Sequence, residues 1–307
     1  MRIQSSLVSL TTRALSESMD VNVMTDLFKD LVYDYDIYRR SGFRQSLVIP
    51  QRDAARQIVV DMVNMGLYYH FISILIQVHV KGFKGRKYTI ACLNEILVNI
   101  HESGYRYDPD YMMFVEDPAI RRTKNWGALV EGKDYPLAFL QLDIAGSSKL
   151  VRKHPQKIIH AAYSDLRKIV EKSIYKRNGR IWAWEGDGGL AAFYLGNNNL
   201  HAALAGMEII NDLFVYNTLD TRLNNPLEVR IAVHSGFCRY SKQMETFSKN
   251  EVIREIIRFE SKHTKPNSLT ISHTVCLKLT SSLLEGFDVM PVDDRITCAS
   301  YSVKLER

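Results

Sequence analysis

The sequence is poor in cysteine, and its few cysteines are not spaced as metal ligands or as a disulfide framework. Only four occur among 307 residues, and no two of them form a Cys-x-x-Cys pair. This excludes the usual sequence pattern of a structural zinc site, and scattered thiols do not make a disulfide-stabilised domain. Reduced cysteines are typical of cytosolic proteins, so the sequence predicts a cytoplasmic location.

Long apolar runs and targeting signals are also missing. The longest apolar stretch, Leu67–Val80, is shorter than the ~20 residues of a membrane span and contains two histidines and a glutamine. Residues 1–20 are too polar to hold the apolar core of a signal peptide. We therefore expect no contact with a membrane.

The charge balance is mildly positive. Lys and Arg number 40 against 34 Asp and Glu, which gives a formal net charge of +6. Such an excess suits a polyanion, such as a nucleic acid, an acidic membrane surface or a nucleoside triphosphate, without choosing among them. The sequence lacks the interleaved aromatic and basic residues of RNA-binding sheets, so nucleic acid is not an expected partner.

The spacing of apolar residues divides the chain into a helical first part and a mixed second part. Residues 1–125 are interpreted as a small all-helical domain, residues 126–134 as a linker, and residues 135–307 as a second domain. The helical segments are Val21–Arg40, 51–66 after Pro50, 67–79 and 88–103. Residues 104–134 are rich in turn formers and read as irregular.

The second part alternates between strand and helix patterns. A nearly continuous apolar run, Tyr135–Ile144, is typical of a strand buried on both faces. A long helix over 148–177 follows, which Pro155 can kink or restart, and then a β-hairpin over 180–195. The order β-α-β-β-α-β, continued by further elements, predicts an α+β protein with a ferredoxin-like, split βαβ domain.

Two aspartates stand where this topology brings strand ends together. Asp143 ends the first strand, and Asp187 lies in the glycine-rich turn of the hairpin beside it. Adjacent carboxylates repel each other unless a cation lies between them, and hard oxygen ligands suit Mg²⁺ or Mn²⁺. Taken singly, Asp143 also fits a helix cap and Asp187 an ordinary turn residue. The spaced pair predicts a metal site.

The turn after the first strand can bind an anion. Gly146, Ser147 and Ser148 lead into a helix, where free backbone N–H groups and the helix dipole attract negative charge. Beside a metal ion that anion would be a polyphosphate. A plain serine cap of the helix is the alternative.

Three segments in this order resemble the class III nucleotide cyclases, the family of adenylate and guanylate cyclase domains. FLQLDIAGSSKL is similar to the family's first-strand signature, and GRIWAWEGDGGLAAF to its hairpin with the second metal aspartate. VRIAVHSGF resembles its arginine-isoleucine-glycine-x-histidine-x-glycine strand. The resemblance covers about residues 135–305 and implies an enzyme that cyclises a nucleoside triphosphate with release of pyrophosphate.

The resemblance also implies the cofactors and the assembly. Asp143, Asp187 and the backbone carbonyl of Ile144 correspond to the ligands of two Mn²⁺ or Mg²⁺ ions per site. Arg258 matches the family's transition-state arginine, and Arg254 stands where the family has a ribose-orienting asparagine. The arginine helix of this family comes from the opposite subunit, so a homodimer with shared active sites is implied. A solvated basic helix face is the alternative for the two arginines, which lie four residues apart.

The positions that read the base depart from the purine cyclases. Ala183 stands where those enzymes have a lysine, and Phe247 falls near their second polar base contact. Strand alternation is expected to place Trp182 and Trp184 on the face opposite Ala183. These departures resemble the pyrimidine cyclases of bacterial Pycsar-type anti-phage systems. They imply cyclic UMP or cyclic CMP as the product, with UTP before CTP as substrate, and a separate effector that the cyclic nucleotide activates.

Two other functions stay open at this point. One is an adenylate or guanylate cyclase with unusual base contacts. The other is a non-catalytic, nucleotide-binding regulatory module on the same scaffold. The presence of both aspartates and of Arg258 argues against the module, because a site without activity does not need them.

Overall fold

The computed structural model describes residues 3–109, 112–243, 249–293 and 296–304. Contacts between residues divide the chain into two compact units, Met1–Arg122 and Thr123–Arg307. Among the described residues, no helix has the length and apolar character needed to cross a membrane. The separate linker over 126–134 stays a prediction of the sequence.

The first unit is helical, as predicted, with one β-hairpin added. Its helices are α1 Ser5–Ser18, α2 Val21–Lys29, α3 Ile37–Ser41, α4 Gln51–Asn64, α5 Tyr68–Lys81 and α6 Leu93–Glu102. The hairpin, β1 Tyr105–Asp108 with β2 Met113–Glu116, lies in the segment interpreted as irregular. Its Phe114 packs on Tyr69 and Tyr107, so tertiary aromatic contacts support strands that the local sequence does not announce.

Two helices of the first unit differ from the prediction. The single helix expected over Val21–Arg40 is interrupted after Lys29, and α3 restarts at Ile37 because the side chain of Asp36 accepts hydrogen bonds from the N–H groups of Tyr38 and Arg39. The helix expected over 88–103 begins only at Leu93, because Cys92 has a left-handed backbone with φ 54°. Helix α1 was not predicted at all.

The second unit is a seven-stranded sheet with helices on its faces. Its elements are β3 Asp134–Ile144, α7 Ser147–Lys153, α8 Gln156–Lys176, β4 Arg180–Glu185, β5 Gly188–Phe193, α9 Asn198–Leu219, β6 Val229–Arg239, α10 Glu251–His263, β7 Ser268–Ile271, α11 His273–Cys276, α12 Ser281–Leu284, β8 Asp288–Asp293 and β9 Ile296–Tyr301. The sheet order is β4-β5-β3-β6-β7-β9-β8, and β6–β7 is its parallel pair.

This topology confirms the α+β fold class. Strand β3 lies between β5 and β6 and is antiparallel to both, which is the strand order of the split βαβ plan. The predicted interruption at Pro155 is also confirmed, since it separates α7 from α8. The sequence pattern of residues 273–284 predicts one helix, but the structure has two short helices there, α11 and α12.

The two faces of the sheet have different cover. On one face, Leu140, Leu142 and Ile144 of β3 pack into a core with α8 and α9. Successive residues of a strand point to opposite faces, so Phe139 and Asp143 lie on the other face. There α10 packs against β6 and β3. The predicted metal aspartate is therefore on the face that α8 and α9 leave open.

Candidate functional site

Asp143 lies near the end of the central strand β3, half-buried between two neighbouring strands. Its cross-strand partners are Gly188 on β5 and Arg230 on β6. A side chain at this place is flanked on both sides by backbone of the sheet. The sequence predicted this strand end correctly, because the apolar run stops at Ile144.

Asp187 lies in the turn between β4 and β5, next to the end of β3. Gly186 precedes it with φ 55°, a left-handed conformation that favours glycine. The carbonyl oxygen of Asp187 accepts a hydrogen bond of 3.2 Å from the N–H of Ile144. The structure therefore places the two predicted aspartates on neighbouring backbone segments, and both are half-buried.

Gly188 makes this close approach possible. A Cβ atom at its position would lie 2.7 Å from the carbonyl oxygen of Leu142 and 3.3 Å from Oδ1 of Asp143. A side chain there would push the hairpin away from β3. Glycine is therefore required at this position by the close approach of the two strands.

Arg230 joins Asp143 to a second acidic residue that the sequence analysis did not single out. Its Nη2 lies 2.6 Å from Oδ2 of Asp143, and its Nε lies 2.6 Å from Oε1 of Glu260 on α10. Burial by itself lowers the pKa of Arg230, but its bonds to Glu260 and Asp143 raise it overall. Burial raises the pKa of Glu260, although Arg230 opposes this. Arg230 is the second residue of the strand segment VRIAVHSGF, and the β3–β6 register places it opposite Asp143.

Tyr163 on α8 has a buried hydroxyl whose pKa responds to the charges of both aspartates. No hydrogen-bond partner for this hydroxyl is found among the described residues. Burial is the main cause that raises the pKa of Tyr163, and the negative charges of Asp187 and then Asp143 raise it further.

These residues fit a hydrated divalent cation. Within the described ranges no group of three or more His, Cys, Asp and Glu side chains is placed to hold a metal ion, so Asp143 and Asp187 are the candidate protein ligands. Mg²⁺ is commonly bound by one or two carboxylates, with water and substrate phosphates as the other ligands.

The predicted anion-binding turn lies directly after Asp143. Helix α7 begins at Ser147, and its N-cap is Gly146 with φ 69° and without a side-chain cap. The alternative of a serine cap is therefore not seen. Gly146 and Ser148 are exposed, and the N–H of Ala145 is bonded to the carbonyl of Glu228 at 2.8 Å. Binding of phosphate by Gly146, Ser147 and Ser148 stays a prediction.

Arg254 and Arg258 lie on the exposed side of α10. The positions that pack on the sheet are Ile253, Ile256 and Glu260, which are buried. The two arginines are one turn apart on the other side of the helix and are both exposed. A partner molecule can therefore reach them.

The predicted base-contact region differs from the expectation in one respect. A register shift between Ile181 and Ala183 changes the alternation of β4. As a result, Trp182 is 3% exposed and packs on Phe139, whereas Trp184 packs on the core and on Arg167 of α8. The prediction that both tryptophans share one face was wrong. Ala183 lies opposite Leu190, and Phe247 is outside the described residues.

A second polar cluster lies between α10, β6 and β7, and the sequence analysis did not predict it. His234 is buried, with Nδ1 2.9 Å from Oγ of Ser272 and Nε2 2.8 Å from a carboxylate oxygen of Glu255. Phe259 stacks on its ring at a centroid distance of 5.9 Å. Burial lowers the pKa of His234 below its ordinary value, although Glu255 opposes this.

Comparisons with known proteins give structural likenesses and no sequence match. No protein-family profile and no curated protein matches the chain. The guanylyl cyclase Cya2 is 19% identical with a TM-score of 0.47, over 56% of this chain and 93% of that one. The adenylyl cyclase CyaB from P. aeruginosa is 16% identical with a TM-score of 0.47, over 58% and 98%. An adenylate/guanylate cyclase/hydrolase from Silicibacter pomeroyi is 18% identical with a TM-score of 0.46, over 56% and 99%.

The burial of His234 predicts that acid destabilises the fold. A histidine with a lowered folded-state pKa takes up its proton more readily when unfolded, so stability is lost as the pH falls below about 6.5. We expect the loss in the free energy of unfolding between about pH 7.5 and pH 5.5 to be smaller in His234→Gln than in the parent. His160→Gln, at an exposed histidine, is the control. The free energies of unfolding are measured by urea unfolding. Equal losses of this free energy in His234→Gln and the parent would contradict a role of His234 in acid destabilisation.

Proposed function

We propose that the chain is a nucleotide cyclase, which converts a nucleoside triphosphate to its 3′,5′-cyclic monophosphate and pyrophosphate. The observation that carries the proposal is the pairing of Asp143 with the Asp187 turn at the end of a central strand. Asp143 lies on the side of the sheet not covered by α8 and α9, and an exposed turn suited to phosphate follows it in the chain. Two of the three sequence segments that resemble class III cyclases contain these same residues.

The residues have distinct parts in this reaction. Asp143, Asp187 and the carbonyl of Ile144 would hold two Mn²⁺ or Mg²⁺ ions, and the turn Gly146–Ser148 would receive the polyphosphate. When bound, the ions supply a lowered pKa for the ribose 3′-hydroxyl and a counter-charge for the leaving pyrophosphate. The 3′-oxygen forms a bond to the α-phosphorus, the bond from that phosphorus to the leaving pyrophosphate breaks, and the hydroxyl proton passes to solvent.

The exposure of Arg258 and Arg254 supports a site that two chains share. Arg258 would stabilise the charge that develops on the α-phosphoryl group, and Arg254 would assist it. Both lie on the side of α10 that faces away from their own sheet. Ile257, between them, is 46% exposed, and Phe237 on β6 is 75% exposed, so the surface has apolar as well as basic character. We therefore propose a head-to-tail homodimer with two active sites.

The environment of Ala183 supports a pyrimidine substrate, and the resemblance to the Pycsar-type cyclases alone puts UTP before CTP. Ala183 is half-buried and has no polar group to offer a purine ring. Trp182 is held inside the protein by Phe139 and Tyr240, so it does not supply the missing contact. Each unpaired buried polar group of a purine costs ~1–3 kcal/mol, which favours the smaller ring. In line with the Pycsar resemblance, cyclic UMP or cyclic CMP would act as a second messenger in antiviral defence through a separate effector.

The first prediction concerns the metal ligands. Asp143→Asn and Asp187→Asn are expected to lower turnover more than about 100-fold, because each removes a direct ligand and even outer-shell partners are worth about 10- to 100-fold. Asp288→Asn, at an exposed carboxylate of the edge strand β8, is the matched control. Turnover is measured as pyrophosphate release, and melting temperatures show that the fold survives. Activity within a few-fold of the parent in either variant contradicts the two-metal assignment.

The second prediction concerns the shared site. Asp187→Asn and Arg258→Ala are each expected to be inactive, and to regain activity when they are mixed and allowed to exchange subunits. About one quarter of the parental activity is expected, because half of the randomly mixed dimers are heterodimers and each has one intact site of two. Dual affinity tags confirm that heterodimers form. If they form without recovery, each chain has a complete site of its own.

The third prediction concerns the base. At equal Mn²⁺, kcat/KM for UTP is expected to exceed that for ATP and GTP by about tenfold or more, as loss of buried polar pairing implies. Ala183→Lys is expected to reduce the ratio of kcat/KM for UTP to kcat/KM for ATP or GTP, because lysine adds a hydrogen-bond donor for a purine. Asp288→Asn is expected to leave this ratio unchanged. If kcat/KM of the parent protein for ATP or GTP is about tenfold higher than that for UTP, the pyrimidine assignment is wrong and the chain is a purine cyclase.

A further inference from the structure

Arg230 is held from two sides by carboxylates of different structural elements. One is Asp143 on the neighbouring strand β3, and the other is Glu260 on the helix α10, each 2.6 Å from a guanidinium nitrogen. The planar guanidinium presents these nitrogens in a fixed geometry, so two simultaneous partners define its orientation. The side chain of Glu260 is 7% exposed and that of Arg230 is 28% exposed, so water competes weakly for these bonds.

The packing of α10 on β6 fixes the position of Glu260, in addition to the rotamer of its side chain. At the start of the helix, Val252 lies so close to Gly236 that a Cβ on the glycine would be 2.8 Å from Cγ2 of the valine. Near its end, Phe259 stacks on the ring of His234 at an interplanar angle of 24°. These two contacts fix the helix on β6, and with it the acidic partner of Arg230.

This arrangement decides which oxygen of Asp143 is available. Oδ2 is bonded to Arg230. Oδ1 lies on the side of Gly188, whose missing side chain leaves room for the hairpin that carries Asp187. An aspartate without the Arg230 contact can rotate about χ2 and exchange its two oxygens. With the contact, Oδ1 is presented to the neighbourhood of Asp187.

We propose that Arg230, held by Glu260, is a positioning residue that directs Oδ1 of Asp143 toward a divalent cation shared with Asp187. The inference rests on the cation site of the proposed function. A simple counter-charge is the competing role for Arg230, and the two roles respond differently to substitution. A counter-charge depends on the sign of the charge alone, whereas positioning depends on the reach and shape of the side chains.

Two charge-conserving variants separate these roles. Arg230→Lys keeps the positive charge but cannot bridge two carboxylates in the fixed geometry of a guanidinium, and Glu260→Asp keeps the negative charge but shortens its reach. Binding of Mn²⁺ to the full chain is measured without nucleotide, from the electron paramagnetic resonance signal of free Mn²⁺. Both variants are expected to raise the Kd about tenfold or more, as outer-shell partners of metal ligands do.

The controls use the same helix and the same site. Glu255→Asp makes the same change on α10 at a carboxylate paired with His234 instead of Arg230, and it is expected to stay within about twofold of the parent. Asp143→Asn defines the affinity that remains when the site is lost. In turnover assays, Arg230→Lys is expected to shift the half-saturating Mn²⁺ concentration while kcat at saturating Mn²⁺ changes less than about threefold.

The outcomes distinguish this inference from the proposed function. Parental Mn²⁺ affinity in folded Arg230→Lys, with loss of binding in Asp143→Asn, overturns the positioning role and leaves the metal site in place. A parent protein without Asp143-dependent Mn²⁺ binding overturns both the metal site and this inference. If Glu260→Asp fails to fold, as judged by its melting temperature, Arg230→Lys alone decides.

Discussion

The antiparallel pairing of β3 with β5 on one side and β6 on the other determines which residues flank Asp143 within the sheet. The β5 register brings the bare backbone of Gly188, and with it the turn of Asp187, against the end of β3. The β6 register brings Arg230 to the opposite side. A shift of one residue in either pairing would turn the side chain to the wrong face, because the side-chain period of a strand is two.

The two faces of the sheet have different roles. One face forms the apolar core, and the other carries the polar residues of the candidate site. Apolar residues of β3 alternate with its site residues, so α8 and α9 bury one face, while α10 packs on the other face beside Asp143 and Arg230. On that second face α10 is held by Val252 and Phe259, places Glu260 beneath Arg230, and leaves Arg254 and Arg258 exposed. The same helix therefore holds the carboxylate of Glu260 inside the protein and has Arg254 and Arg258 on its exposed side.

Local patterns predicted most of the second unit, and long-range contacts account for what was missed. The apolar run of β3, the restart at Pro155 and the glycine-rich hairpin are readable because each depends on neighbouring residues. The interruption before α3 depends on capping by Asp36. Trp182 and Trp184 face opposite sides of the sheet because of a register shift in β4. The Arg230–Glu260 contact joins residues 30 apart in sequence, so no periodicity could reveal it. Phe247 lies outside the described residues and stays a prediction.

Identification of the reaction product tests the central claim most directly. The purified full chain is incubated with each of the four nucleoside triphosphates and Mn²⁺, and the products are identified by mass spectrometry. The account predicts a 3′,5′-cyclic monophosphate and pyrophosphate in equal amounts, with neither formed by the Asp143→Asn variant. A linear mono- or diphosphate as the product, or a cyclic nucleotide formed equally well by Asp143→Asn, would contradict it.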